Sequence, residues 1–168
     1  MKNILLALLD ALKDLHPDDL KLEHLRAKDS LTLAELREVT LARHGYIHRD
    51  IKPENVILVP NRGPVLIDFG ISVRVAEAVK TVSSTPGYLP PDGVYGQWTP
   101  DVDLYQLGLT GLQFAVGVEY DGSNIDDLRR IADEDLSSPL STTLLRMTES
   151  SRDSRFESAR QAMKALAG

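Results

Sequence analysis

Four residues in one short stretch could share a reacting centre: Asp50, Lys52, Asn55 and Asp68. The first three lie in His48-Arg49-Asp50-Ile51-Lys52-Pro53-Glu54-Asn55, and the fourth in Leu66-Ile67-Asp68-Phe69-Gly70. Phosphoryl transfer needs an oriented hydroxyl, metal ions on the phosphates and a cation for the developing charge. Asp50 can orient or deprotonate an alcohol, and Lys52 can reach the same centre from the same loop. Asn55 and Asp68 offer hard oxygen ligands, which suit Mg²⁺ rather than zinc. Gly70 leaves the backbone free to aim Asp68 and Phe69 independently.

The elements that must position these groups can be read outward from the loop. Two apolar runs, Val56 to Val59 and Val65 to Ile67, are split by Pro60-Asn61-Arg62-Gly63-Pro64, which predicts a small β-hairpin between the two functional pieces. Upstream, Ile4, Leu5, Leu8, Leu9, Leu12 and Leu15 mark one face of an amphipathic helix that stops before His16-Pro17. Asp10 and Lys13 break the run, so it is read as a helix and not as a signal peptide. Pro17-Asp18-Asp19 opens a short helix, and Thr32-Leu33-Ala34-Glu35 forms a capping box for another that runs to about Arg43 and is ended by Gly45.

Downstream, Gly70 to Asp92 lacks strong periodicity, and Ser83-Ser84-Thr85-Pro86-Gly87-Tyr88 reads as ordered loop. Thr99-Pro100-Asp101 starts a helix whose body, Val102 to Val116, is apolar on more than one face, which places it at the centre of the core. Asp103 inside that helix is anomalous, since a buried carboxylate needs partners. Short helices are expected over 124–132 and 139–147. Ser154-Arg155-Phe156-Glu157 has the spacing of a capping box for the last helix, ending near Leu166.

Length and composition bound the rest. At 168 residues, with 42% hydrophobic and 26% charged residues, the chain suits a single domain with one core. A net charge of -6 argues against nucleic acid as a partner, and no run approaches the roughly 20 apolar residues of a membrane span. The absence of cysteine excludes disulfides and thiolate metal sites and points to the cytoplasm. His16, His24 and His44 show no metal-ligand spacing and are read as incidental, and His48 as a core histidine bridging the loop. Trp98 is read as a core or groove-wall residue. Asp126-Asp127 and Asp133-Glu134-Asp135 read as a solvated acidic face.

In their order along the chain, these pieces resemble the C-terminal lobe of a eukaryotic-like serine/threonine protein kinase. HRDIKPEN is similar to the family's catalytic loop and IDFG to its metal-binding element. Ser84-Thr85-Pro86-Gly87-Tyr88-Leu89-Pro90-Pro91-Asp92 resembles the GTPGYMAPE end of the activation segment. Asp103-Leu104-Tyr105-Gln106-Leu107-Gly108 resembles the DVYSLG start of the central helix, and Arg155-Phe156-Glu157-Ser158-Ala159 a late RPSA-type element. The implied fold is mainly α with a short β-hairpin, the kinase lobe without its N-terminal partner lobe.

The resemblance implies roles. Asp50 would be the catalytic base, Lys52 the lysine facing the γ-phosphate, and Thr85 a neighbour of both. Asn55 and Asp68 would bind Mg²⁺, and Ile57 would lie under the adenine of ATP. His48, Arg49, Phe69, Asp92, Asp103 and Arg155 would support the site, with Asp103 accepting hydrogen bonds from the catalytic-loop backbone and Arg155 pairing with Asp92. A phosphate on Thr81, Ser83 or Ser84 could pair with Arg49 and order the loop. The domain would then divide into N-terminal helices over 1–47, catalytic loop with hairpin over 48–70, activation segment over 71–92 and helical subdomain over 93–168. Leu5 to His16 resembles the helix that normally precedes the catalytic loop, which would make 17–43 an insertion; alternatively Leu33 to Arg43 takes that place.

Asp92 stands where the family carries glutamate, one methylene shorter. The 47 residues before His48 contain no glycine-rich loop, no strand lysine and no matching glutamate, the elements that cover the nucleotide. The leading expectation is a serine/threonine kinase lobe that transfers the γ-phosphate of MgATP to protein and is inactive without an N-terminal lobe from elsewhere. The alternative is a non-catalytic binding or dimerisation module, self-associating through the exposed lobe-facing surface. A third reading, a small-molecule phosphotransferase of the aminoglycoside-kinase type, is disfavoured by Lys52 and the TPGYLPP segment.

Overall fold

The computed structural model describes residues 1–75, 84–93 and 98–168. Seven α-helices and two small antiparallel β-pairs are found among them. The first helix, α1 (Lys2–Leu15), buries Leu5, Leu8, Leu9 and Leu12, the stripe its sequence spacing dictates. It lies against α7 (Ala159–Ala167) and the hairpin. The chain then makes an excursion through α2 (Asp19–Arg26) and α3 (Leu33–Ala42), which pack chiefly on each other. Asp18 caps α2 by accepting from Lys21 N–H at 3.1 Å, and Thr32 and Glu35 form a reciprocal capping box on α3.

The excursion leaves and returns at one point. Asp18 N–H donates to Ala42 O at 2.9 Å, and a side chain on Gly45 would meet Pro17 N at 2.5 Å. Gly45 therefore permits a backbone contact and does not end α3, whose last residue is Ala42. Most of the apolar surface of α3, including Leu33, Leu36 and Leu41, is exposed.

Past this junction, β1 (Tyr46–Ile47) leads into the catalytic loop, a 3-10 turn at Pro53–Asn55 follows, and β2 (Val56–Val59) pairs with β3 (Gly63–Leu66). The hairpin register sets Val56 opposite Leu66 and Val59 opposite Gly63, so its turn is tighter than the proline spacing predicts. Asn61 and Gly63 carry the positive φ angles that a tight turn demands. A second pair escapes sequence reading: β4 (Val73–Arg74) pairs with β1, Tyr46 opposite Arg74 and Ile47 opposite Val73. Two-residue strands are too short to show alternation.

The centre of the molecule is α4 (Pro100–Val116). Every residue from Asp101 to Gln113 is buried, and α5 (Ile125–Asp135) and α6 (Leu140–Met147) lie against it. Pro100 sits in the first turn, Gly117 closes the helix in the left-handed region, and Thr99 donates to the Asp101 carboxylate without capping the helix. Two glycines let α6 approach: a β-carbon on Gly108 would lie 2.6 Å from Met147 Cβ, and one on Gly111 2.6 Å from Leu144 Cδ2. At the C-terminus the cap of α7 is Ser158, accepting from Gln161 N–H at 3.3 Å. The capping box expected at Ser154 does not form; Ser154 closes a 3-10 turn, because the buried Arg155 and Phe156 hold the chain extended before α7 begins. No helix among the described residues is long and apolar enough to cross a membrane.

The two glycines predict different costs. Gly108→Ala meets a β-carbon fixed to the α6 backbone and should lower unfolding stability by about 1–3 kcal/mol. Gly111→Ala meets the tip of a leucine that can rotate away and should lose less. Urea midpoints at constant slope measure both.

Candidate active site

The catalytic loop hangs from one carboxylate. Asp103, wholly buried, accepts from His48 N–H at 2.7 Å on Oδ2 and from Arg49 N–H at 2.8 Å on Oδ1. His16 Nε2 meets the same Oδ2 at 2.9 Å. Sequence reasoning took His16 for an incidental residue, and the structure corrects that reading. It is buried at the end of α1 and ties that helix to the loop's support. Its signal in the sequence was indirect, since a carboxylate at the heart of an apolar helix needs donors and a histidine ending a packed helix can supply one. His24 and His44 are exposed, and no group of three or more metal-binding side chains occurs among the described residues.

Both Asp103 bonds act on strained backbone, for Arg49 has φ 74°, in the left-handed region. A non-glycine residue there costs about 1–3 kcal/mol and persists only where its surroundings enforce it. The twist turns the following residue, Asp50, away from the core. Asp50 Oδ1 accepts from the Thr85 hydroxyl at 2.5 Å, and Oδ2 meets Lys52 Nζ at 3.1 Å and Asn55 Nδ2 at 3.0 Å. Lys52 Nζ also donates to Thr85 Oγ1 at 2.7 Å, and Asn55 Nδ2 to Asp50 O at 2.7 Å. The three residues named for catalysis, Asp50, Lys52 and Thr85, thus form one closed cluster. Burial pushes the Asp50 carboxyl up, but the hydrogen bonds from Thr85, Lys52 and Asn55 and the lysine charge outweigh it, leaving the group below the usual carboxylate range. Such a group is an ionised acceptor at neutral pH, able to orient a hydroxyl.

Asn55 and Asp68 emerge at the same end of the hairpin, because Ile67 N–H donates to Asn55 O at 2.9 Å. Asp68 is exposed with φ 62°, its carboxylate receiving Gly70 N–H at 3.1 Å. Neutral amide and carboxylate oxygens are the donors a Mg²⁺ ion accepts, with phosphates and water filling the remaining positions. Phe69 lies edge-on to His48 at 4.6 Å between centroids. Asp50 N–H approaches His48 Nδ1 at 3.4 Å while Nε2 faces Ile67 O at 3.1 Å, contacts that the Nε2–H tautomer satisfies together. His48 so bridges the two functional strings. Ile57 and Phe69 are 47% and 51% exposed, leaving apolar surface on either side of the exposed Asp68 in sequence.

The supports lie deeper. The Arg49 guanidinium rests over Trp98 at 4.0 Å and donates to Ile71 O at 3.0 Å, so Trp98 is a core residue packed with Ile47 and Val102. Ser84 is tied to the catalytic loop, its hydroxyl donating to Arg49 O at 3.0 Å. Thr81 and Ser83 lie outside the described residues. Despite its shorter side chain Asp92 reaches Arg155, with both carboxylate oxygens 2.9 Å from Nη2. Asp101, which the sequence marks only as an acid at the start of α4, joins at 3.1 Å, and Arg155 Nη1 donates to Glu149 O at 2.8 Å. Burial raises the neighbouring Tyr105 hydroxyl to about 12.

The site thus sets an ionised aspartate among lysine, threonine and asparagine, with a second acid across a hairpin. The family model described as Protein kinase domain matches residues 39–166, and the chain belongs to that family, on its eukaryotic-like serine/threonine branch. It is 33% identical over 132 residues to "Serine/threonine-protein kinase Aurora-1" of Arabidopsis thaliana, covering 75% of this chain and 45% of that protein. With "Serine/threonine-protein kinase PknA" of Nostoc sp. (strain PCC 7120 / SAG 25.82 / UTEX 2576) it shares 43% identity over 84 residues, 42% of this chain and 14% of the relative. "Aurora kinase A-B" of Xenopus laevis is 38% identical over 94 residues, 54% of this chain and 23% of the relative. The chain therefore spans less than half the length of each.

Two measurements probe this geometry. Asp103→Asn keeps the shape but turns an amide toward backbone N–H donors, and should destabilise the fold by roughly 2–5 kcal/mol in urea titrations. The stabilisation from Asp50 ionisation is complete above the ordinary carboxylate pKa and is lost as pH falls through its lowered folded value. Lys52→Met removes a charge and a hydrogen bond and leaves burial in place, so the Asp50 midpoint should rise in a ¹³C-detected carboxyl titration.

Proposed function

We propose that this chain is the catalytic-loop lobe of a serine/threonine protein kinase, which transfers the γ-phosphate of MgATP to a protein hydroxyl. The observation that carries the reading is the closed cluster in which Asp50 accepts from Thr85, Lys52 and Asn55. Asp50 would take up the substrate hydroxyl and orient it for attack, with Thr85 and Lys52 yielding part of their contact to the incoming group. Lys52 would then place its charge against the oxygens of the transferring phosphoryl group. Asn55 and Asp68 would hold Mg²⁺, which would supply charge neutralisation to the phosphates. Ile57 would lie under the nucleotide base, its exposure leaving it free to do so.

A groove of about 440 Å³ begins at Thr85 and runs past Glu54, Pro86, Phe114, Val118 and Tyr120. Its open, mixed lining suits an extended peptide better than a small alcohol, which favours a protein substrate. These 168 residues supply one wall of the nucleotide cleft. A partner lobe bearing a glycine-rich loop and a strand lysine would complete it, docking over the exposed side of Ile57, Leu58 and Phe69. The second reading, a non-catalytic module, draws on the same exposed surface, which could seat a binding partner or a second copy.

Transfer of labelled phosphate from MgATP to a basic protein tests the proposal. The chain alone should give no detectable transfer and little thermal shift with MgATP. Mixed with a separately expressed kinase N-terminal lobe, it should transfer phosphate in an Asp50-dependent way. Transfer that survives Asp50→Asn would sink the assignment of the base. No transfer in the complemented mixture would favour the binding module.

A further inference from the structure

The contacts of Asp103 account for the N–H groups of His48 and Arg49, but not for what fixes the two peptide groups on either side of Asp50. Gln106, one turn along α4, meets both. Its side chain is fully buried. Oε1 accepts from Ile51 N–H at 3.1 Å, and Nε2 donates to Arg49 O at 2.8 Å and to Ser84 Oγ at 3.1 Å. The amide orientation follows from these neighbours, since only an oxygen can face the Ile51 N–H and only the NH₂ can face the Arg49 carbonyl. Both amide hydrogens and the oxygen are engaged, and the side chain is sealed from solvent.

Arg49 O belongs to the peptide entering Asp50 and Ile51 N to the peptide leaving it. One rigid amide thus spans the residue that would act as base, and it does so on the C-terminal side of a left-handed Arg49 that would relax if released. The third contact extends the effect to the activation segment. Ser84 donates to the same Arg49 O at 3.0 Å, closing a triangle of Gln106 Nε2, Ser84 Oγ and Arg49 O. The next residue is Thr85, whose hydroxyl meets Asp50. Gln106 therefore holds the backbone of Asp50 and the residue that delivers Thr85 to it.

We propose that Gln106 is a positioning residue of the phosphotransfer site, setting Asp50 and Thr85 in register through one buried amide. The assignment deepens the kinase reading and rests on it for its functional meaning, but its physical content can be measured without ATP. Gln106→Met keeps the volume and removes all three hydrogen bonds. In the ¹⁵N-labelled chain, Ile51 amide exchange should then accelerate by about tenfold or more, while the Leu107, Leu109 and Leu112 amides of α4 stay within about twofold of wild type.

Unchanged Ile51 exchange, or acceleration shared equally by α4, would overturn the proposal by showing no contact or only general destabilisation. If Gln106→Met does not fold, Ser84→Ala tests the same triangle from its half-exposed corner. The Gln106 side-chain NH₂ resonances should move; unmoved signals count against the proposal. In the complemented transfer assay Gln106→Met should lower kcat by about tenfold with the KM for ATP held, and a change in KM alone would refute a positioning role. Loss of transfer in the wild type would remove the kinase reading while leaving the exchange result to decide the geometry.

Discussion

A carboxylate with no access to water imposes its needs on everything around it. Asp103 must find donors inside the protein, and it finds them in the catalytic-loop backbone and in His16. To keep the carboxylate dry, α4 must be covered on all sides, which explains its apolar faces and the close seating of α6 over Gly108 and Gly111. A buried charge left with too few donors is costly, so the loop's conformation and the helix's burial stabilise each other. The strained Arg49 is tolerated because the groups on both of its sides are spoken for.

Three aspartates show how environment divides labour among identical side chains. Asp103 is buried and acts on backbone. Asp101 is buried nearby and serves the Arg155 guanidinium, together with Asp92. Asp50 alone faces outward, held by side chains that can exchange partners. Its neighbours hold it ionised without sealing it off, so it is available to a third molecule. The arginine network depends on geometry in the same way: Asp92 reaches Arg155 despite its shorter stem because the guanidinium is fixed by the carbonyls of Glu149 and Ser150.

Much of this was legible in the sequence. The spacing of α1 and the apolar body of α4 named the core, the proline-glycine cluster placed the hairpin, and the catalytic string named the residues that cluster around Asp50. What escaped shares a physical character. The β1–β4 pair is too short for any period to register. Ser158 caps α7 where Ser154 had the better pattern, because the burial of Arg155 and Phe156, a tertiary effect, decided where the helix could start. His16, Asp101 and Gln106 act through partners far away in sequence, and no local pattern reports such a pairing.

The junction of Gly45 with Pro17 carries a consequence of a different kind. Because the chain departs and returns at a single point, the length of the excursion through α2 and α3 is decoupled from the geometry of the loop that follows. In polymer terms the closure is already made, and doubling such a loop costs only about 0.6 kcal/mol in chain entropy. The stretch between His16 and Gly45 can therefore grow or shrink without disturbing the register of the loop that follows. The glycine at the crossing cannot change freely, since any side chain there would push the two arms apart.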